Sequence, residues 1–249
     1  MDDLLLLLGA GLLAGAMNGL AGGGSFVTLP ALIAVGVPSV AANASSTVAL
    51  YPGGVASAWV YRDGLNSVCG VPLRPTLLAT LAGGLAGALL LLWTPSSVFD
   101  KVLPWLLLVA TLALAGGPRL GPALRSRFRA GVKTVVAVQF LLGVYGGYFG
   151  GAVGLMMMAA WSLLDGADVK ALNPPRTLLV SAANTVAVLC FILAGAVAWP
   201  AVLLVGLAAV VGGYGGARLG RRLPAAVVRI ATLILAVVMT AVFFARAYG

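Results

Sequence analysis

Eight apolar runs organise the chain, at 4–34, 40–61, 75–93, 98–116, 134–164, 174–195, 199–217 and 225–245, and the connections between them hold nearly all of the charge. Six of the runs have the length of one helix crossing ~30 Å of hydrocarbon. The composition agrees: 61% of the 249 residues are hydrophobic and 8% are charged, and the mean hydropathy is +1.10. Soluble domains carry about 25% charged residues, and disordered chains are polar and highly charged, so both classes are excluded. The expected fold class is an all-α integral membrane protein.

Two runs are too long for a single crossing. Segments 4–34 and 134–164 would each extend about 46 Å as continuous helix. Glycine interrupts both, in Ala21-Gly22-Gly23-Gly24-Ser25 and in Gly146-Gly147-Tyr148-Phe149-Gly150-Gly151. Each helical glycine costs ~1 kcal/mol against alanine, so a cluster reads as a break. The halves also match in order. At an offset of 130, Gly24, Gly36, Ala41, Asn43 and Thr47 match Gly154, Gly166, Ala171, Asn173 and Thr177. At 129, Gly83, Gly84, Gly87, Ala88 and Pro95 match Gly212, Gly213, Gly216, Ala217 and Pro224. The expected organisation is one membrane domain over 1–249, with repeat 1 at 4–116, a basic cytoplasmic linker at 117–133 and repeat 2 at 134–246. A tandem repeat of this kind is a common plan of secondary transporters.

Charge decides between two topologies. If all eight segments cross, the fifteen Lys and Arg divide eight against seven and orient nothing. If the two broken segments are re-entrant hairpins, Lys101 and Arg246 fall on one face and thirteen on the other. The positive-inside rule then makes the thirteen cytoplasmic and both termini external. Three crossings per repeat would also invert the repeats, so that the hairpin tips approach near mid-membrane. Two long, kinked helices are the alternative.

The net charge of +9 lies in short connections between apolar runs, where it marks membrane orientation and lipid contact rather than a nucleic-acid surface. The chain has no histidine, and all six acids are Asp, which removes His-based triads and His metal clusters. Cys69 and Cys190 are too few for a disulfide framework or a cysteine zinc site. No metal, cofactor or catalytic residue is expected. Only Ser/Lys-type chemistry would remain, and Lys101, Lys133 and Lys170 all lie at connections. Asp2 and Asp3 precede Leu4–Leu8, the reverse of a signal peptide's positive start, so this segment is expected to belong to the mature protein.

The run Gly15-Ala16-Met17-Asn18-Gly19-Leu20-Ala21-Gly22-Gly23-Gly24-Ser25, then Leu29-Pro30-Ala31-Leu32 and Gly36-Val37-Pro38-Ser39-Val40-Ala41-Ala42-Asn43-Ala44-Ser45-Ser46-Thr47, resembles the first motif of the TauE/SafE sulfite exporter family. The second half is similar to that family in Gly146-Gly147-Tyr148-Phe149-Gly150, Asn184, Trp199 and Gly212-Gly213-Tyr214-Gly215-Gly216-Ala217. The chain departs from the pattern at Gly154-Leu155-Met156-Met157, where many members carry a longer glycine run, and at Arg176, where Lys is common. The resemblance implies a multi-pass transporter in a bacterial inner membrane, carrying a sulfur-containing anion such as sulfite, sulfoacetate or another organosulfonate. Export is the first expectation. Uptake of an organosulfonate or other small anion, or a non-catalytic assembly subunit, are the alternatives. Oligomeric state is open, with a homodimer as one option.

The expected substrate site lies between the two hairpin tips. Gly22, Gly23, Gly24 and Ser25 on one side, and Gly150, Gly151 and Gly154 on the other, let backbone amides approach an anion. For Gly15 and Gly19 close helix packing is the stronger reading. Asn43, Ser46 and Thr47 could ring an oxyanion or bond to their own backbone, and Ser45 reads as a cap. Asn173 is the repeat counterpart of Asn43, before Pro174 and Pro175, which suit a first helical turn. Asn184 lies deeper, as an anion ligand or as a helix–helix tie. Arg176 either snorkels to the headgroups or attracts the anion at the inner mouth. Tyr51, Trp59, Tyr145 and Tyr148 either line the path or pack, and Cys190 is a packing residue. Asp63 and Asp100 lie at the ends of runs and Asp165 and Asp168 in a connection, so a buried proton relay of the usual kind is missing. An anion leaving a negative-inside cell gains about 2.3 kcal/mol per charge per 100 mV, enough to drive export.

Overall fold

A computed structural model describes residues 2–20, 23–125, 131–164, 169–220 and 225–249. Among the described residues ten α-helices follow one another: α1 Asp2–Leu20, α2 Ser25–Ala34, α3 Ser39–Val60, α4 Leu73–Trp93, α5 Ser96–Arg125, α6 Val132–Phe149, α7 Val153–Leu164, α8 Val169–Leu193, α9 Trp199–Gly220 and α10 Ala225–Tyr248. A 3-10 turn at Arg62–Gly64 ends α3's excursion. Among the described residues there is no strand, only the bridge between Val68 and Val71. Both long runs are broken where glycine clusters. The second break is shorter than expected, because Gly146 and Gly147 stay inside α6 and the chain turns only at Gly150. These two glycines serve packing: a Cβ on Gly147 would enter the backbone of Gly84, and one on Gly146 would press on Val153.

Six helices among the described residues are long and apolar enough to cross a membrane: Leu73–Trp93, Ser96–Gly116, Val132–Phe149, Leu172–Leu193, Trp199–Gly216 and Arg229–Tyr248. Five match the expected crossings. The sixth is α6, the first arm of the second broken segment, in place of α3. Asn43, Ser45, Ser46 and Thr47 dilute the apolarity of α3, and all four are buried. Two further boundaries differ from expectation. Helix α5 continues to Arg125, into the span expected to be a linker, whose residues 126–130 lie outside those described. Helix α8 starts at Val169, so Pro174 and Pro175 sit inside it rather than in its first turn. Each proline there removes one N–H from the helical ladder.

Glycine sets the main helix pairs. Gly11 and Gly15 lie on Val205 and Ala209, while Gly212 and Gly216 lie on Leu12 and Ala16, so α1 and α9 run parallel in backbone contact. Gly83 and Gly87 on α4 face Phe140 and Val144, while Gly143 and Gly147 on α6 face Thr80 and Gly84, in the same parallel sense. Without a hydrophobic drive between helices in lipid, close backbone approach by small residues is the main source of such association. The two pairs are reciprocal. Each joins the opening helix of one half to the helix of the other half that carries the matching glycines.

Hydrogen bonds define the two ends of the bundle. Ser39 Oγ donates to the Ser96 carbonyl at 3.3 Å, Ala198 N–H to Ser45 Oγ at 2.9 Å, and Tyr248 OH to the Lys101 carbonyl at 2.9 Å. These join the starts of α3, α5 and α9 to the end of α10. At the opposite end Gly64 meets Pro174, and Arg229 donates to the carbonyls of Leu114 and Ala115 at 3.1 and 3.2 Å. The main core runs through the bundle around Phe26, Leu32, Phe99, Leu103, Phe149 and Phe191. A second cluster around Val68, Val71, Trp161 and Leu179 closes the Gly64 end.

Candidate substrate site

Both breaks meet the middle of α3. At Gly24, the residue before α2, an added Cβ would lie 2.7 Å from the Ala14 carbonyl and 3.1 Å from Leu50 Cδ1. At Gly150 it would lie 2.8 Å from Thr47 Oγ1. Leu50 and Thr47 are one turn apart, so the two tips converge on one turn of one helix. The tips differ in backbone. Gly24 has an ordinary helical φ of −58°. Gly150 and Ala152 both have positive φ, 69° and 58°, a strained turn for an alanine. Gly22 lies outside the described residues.

The polar residues of α3 are engaged by the protein itself. Asn43 Nδ2 donates to the Tyr148 carbonyl at 2.9 Å, one of the last carbonyls of α6, which otherwise lack helical partners. Thr47 Oγ1 donates to the Asn43 carbonyl at 3.0 Å. Ser46 and Thr28 join hydroxyl to hydroxyl and tie α2 to α3. Ser45 is a cap, as expected, but for the start of α9 rather than for its own helix. The first tip is similarly self-satisfied. Gly24 N–H donates to Asn18 Oδ1 at 3.2 Å, and the N–H groups of Phe26 and Val27 bond back to Gly23 and Gly24. Ser25 begins α2 and is partly buried.

Helix α8 is the opposite case. Three of its side-chain atoms are buried without a hydrogen-bond partner: Arg176 Nε, Ser181 Oγ and Asn184 Oδ1. They are the complete set of such atoms among the described residues. Burying a polar group without a partner costs roughly 1–3 kcal/mol by mutational measures, and three such atoms lie on this one helix. Arg176 does not reach for the bundle's rim: a Cβ on Gly154 would lie 3.6 Å from its Cδ and 3.7 Å from its NH1. Its side chain therefore lies along the first turn of α7, behind the second tip. Tyr61 is near enough to interact with it electrostatically. Among the described residues the one ion pair is Arg62 with Asp63, so no described carboxylate neutralises Arg176. Ser181 faces Gly54, and Thr185, one turn on, shares a 2.8 Å hydrogen bond with Tyr51. Asn173, three residues before Arg176, is partly buried on the same side of α8. From Arg176 to Asn184 the helix rises about 12 Å, a polar track that turns from α7 at Gly154 toward α3 at Gly54.

Gly150, Gly154, Asn173, Arg176 and Asn184 stay candidates, with Ser181 beside them, while Asn43 ties α3 to α6, Ser46 ties it to α2 and Thr47 bonds to its own helix's backbone. Gly151 packs on the Phe149 ring, and Gly23 is moderately close to Phe26 and Thr232. A lone serine in an apolar run gave no signal for Ser181. The aromatics are structural: Tyr145 OH donates to the Leu106 carbonyl at 3.2 Å, Tyr148 OH to Thr94 at 3.4 Å, and Trp59 lies exposed beneath Arg62. Gln139 is fully buried and satisfied, donating to Thr80 at 2.8 Å and accepting from Trp161 at 3.1 Å. That network fastens α7 to α6 and α4. No cluster of three or more potential metal ligands occurs among the described residues.

The family model of the sulfite exporter TauE/SafE matches residues 7–243. A probable membrane transporter protein YfcA of Escherichia coli K12 is 32% identical over 98% of this chain and 92% of its own length. Probable membrane transporter proteins of a Sinorhizobium species and of Haemophilus influenzae are 29% and 26% identical, each over at least 95% of this chain and 90% of their own length. No solved structure matches. With six helices able to cross a membrane, this chain is a multi-pass membrane transporter belonging to the TauE/SafE sulfite exporter family.

Proposed function

We propose that the protein exports a small sulfur-containing anion, sulfite or an organosulfonate, across the cytoplasmic membrane of a bacterium, along the polar track of α8 and past the two tips. The single observation that carries this reading is the trio of unpartnered buried atoms on α8. A guanidinium and a hydroxyl donate to an oxyanion, and an asparagine amide can turn its Nδ2 edge toward one. Charge-assisted hydrogen bonds of this kind are roughly twice as strong as neutral ones.

The architecture that goes with it is a pair of inverted repeats, each a re-entrant hairpin plus three crossings. Several contacts support it. Helix α1 runs parallel to α9, which starts at the Ser39 end, and α2 runs back along α3, with Gly24 at Leu50 and Thr28 at Ser46. In this reading α1 and α2 enter and return at one end. Helix α6 runs parallel to α4 from the other end, and α7 returns toward Cys69, whose Sγ lies 3.9 Å from the Trp161 carbonyl. Thr111 and Thr240, equivalent at the repeat offset of 129, meet each other at 3.1 Å, as residues on a pseudo-twofold axis do. Lys101 and Arg246 then share the Ser39 end, and Arg62, Arg74, Lys133, Arg218 and Arg229 the Gly64 end, which the positive-inside rule makes cytoplasmic. A half-helix pair meeting at mid-membrane around the site is the arrangement that secondary transporters use.

Membrane potential suffices to drive export of a monovalent anion. Purified protein in liposomes tests the reading. Sulfite and methanesulfonate flux should follow an imposed potential and need no pH gradient at fixed substrate ionisation. Flux that ignores voltage and requires a proton gradient contradicts it. Uptake is the second reading, and the sign of flux in cells under a normal potential separates the two.

A further inference from the structure

The charge balance of the track points to a rule about substrate charge. Arg176 is the one cationic side chain among the described residues that has a buried, unpartnered nitrogen, and no described carboxylate pairs with it. The other polar atoms on the track, Ser181 Oγ and Asn184 Oδ1, are neutral. The groups that surround it from other elements are neutral too: Gly154 and Val180 beside its guanidinium, Tyr61 from the end of α3, Gly54 opposite Ser181, and the Tyr51–Thr185 pair. Among the described residues, one half-buried positive charge with no carboxylate beside it therefore stands on this part of α8.

Resting on the export reading above, we infer that the site selects anions by charge state and carries the monoanion while rejecting the dianion. A monoanion on Arg176 makes a neutral complex. A dianion leaves one charge uncompensated away from water, and such a charge is very costly unless it is paired. Hydrogen sulfite and a singly charged sulfonate such as methanesulfonate pass this test, unlike sulfoacetate, whose carboxylate adds a second charge. Sulfate, or sulfite after it has lost its second proton, does not, although its size and oxygen geometry are nearly the same. The pH dependence of transport then belongs to the substrate. Methanesulfonate, which stays a monoanion through the neutral range, should move at a constant rate, while sulfite flux should decline with rising pH as the hydrogen sulfite fraction declines.

The test uses the full-length protein in liposomes, with the potential clamped and ionic strength fixed. Efflux of methanesulfonate, sulfite and sulfate is measured across the neutral pH range. The expected result is pH-independent methanesulfonate flux, sulfite flux that tracks hydrogen sulfite, and sulfate at least about tenfold slower than methanesulfonate, given the cost of an unpaired buried charge. Arg176→Lys keeps the charge and should keep this preference at lower affinity. Arg176→Gln should slow methanesulfonate and abolish the preference. Sulfate moving as fast as methanesulfonate, or sulfite flux rising with pH, overturns the charge rule and leaves the export reading standing. No flux of any anion from folded, inserted protein overturns both.

Discussion

The polar residues in the first half of α3 and those along α8 stand in opposite hydrogen-bonding states. On α3, Asn43, Ser45, Ser46 and Thr47 each have a partner within the protein, drawn from α6, α2, the start of α9 and α3 itself. On α8, Arg176, Ser181 and Asn184 have buried atoms with none. The physical distinction is measurable. Removing a satisfied group strands its partner and destabilises by about 1–3 kcal/mol, whereas removing an unsatisfied one relieves a penalty.

The largest expected effect lies at the second tip. Gly150→Val places a β-branched side chain at a φ of 69° and its Cβ within 2.8 Å of Thr47 Oγ1. The backbone strain alone is of order 1–3 kcal/mol. Transport should be abolished and thermal unfolding should come earlier; a variant with near-normal flux would remove this tip from the pathway. Gly24→Val should act next most strongly, since its Cβ would meet the Ala14 carbonyl at 2.7 Å, and more strongly than Gly23→Val, where the nearest atom is 3.3 Å away on the Phe26 ring. Reversal of that order in a flux assay would show that the first tip is not seated against α1 as described.

Asn43→Ala comes third. It leaves the Tyr148 carbonyl without its donor and should lower stability by about 1–3 kcal/mol, read as a fall in unfolding midpoint, with transport declining in step. An unchanged midpoint with lost binding would return Asn43 to the substrate. Smallest in stability is Ser181→Ala, which removes a hydroxyl with no partner. Its midpoint should hold or rise while apparent substrate affinity weakens. Impermeant thiol labelling of intact cells supplies an independent check on orientation: Cys69, in the turn at the Gly64 end, should react only after the membrane is opened.

Much of this was legible in the sequence. The apolar runs give the helices because hydropathy and length are both local properties. The described breaks, at Gly23–Gly24 and Gly150–Gly151, fall there because clustered glycine weakens a helix wherever it occurs. What was not legible depended on distant partners. Gly146 and Gly147 read as a break until Gly84 and Val153 are seen against them. Asn43 read as an open ligand because its acceptor lies 105 residues away, and Ser45 caps a helix start 153 residues away. Pro174 and Pro175 signalled a helix start, but α8 begins at Val169 and carries them inside it. Ala152 at positive φ had no signal at all, since nothing about alanine advertises that conformation.

The division of labour between the two stretches is tested most directly by Asn184→Ala, measured for unfolding midpoint and methanesulfonate flux on the same purified preparation. Its Oδ1 is buried and unpartnered, so the account predicts an unfolding midpoint equal to or above that of the unaltered protein together with flux slower by about tenfold, the loss of one charge-assisted hydrogen bond. A lowered midpoint with flux unchanged would make Asn184 a helix–helix tie like Asn43 and contradict the assignment of α8 to the substrate.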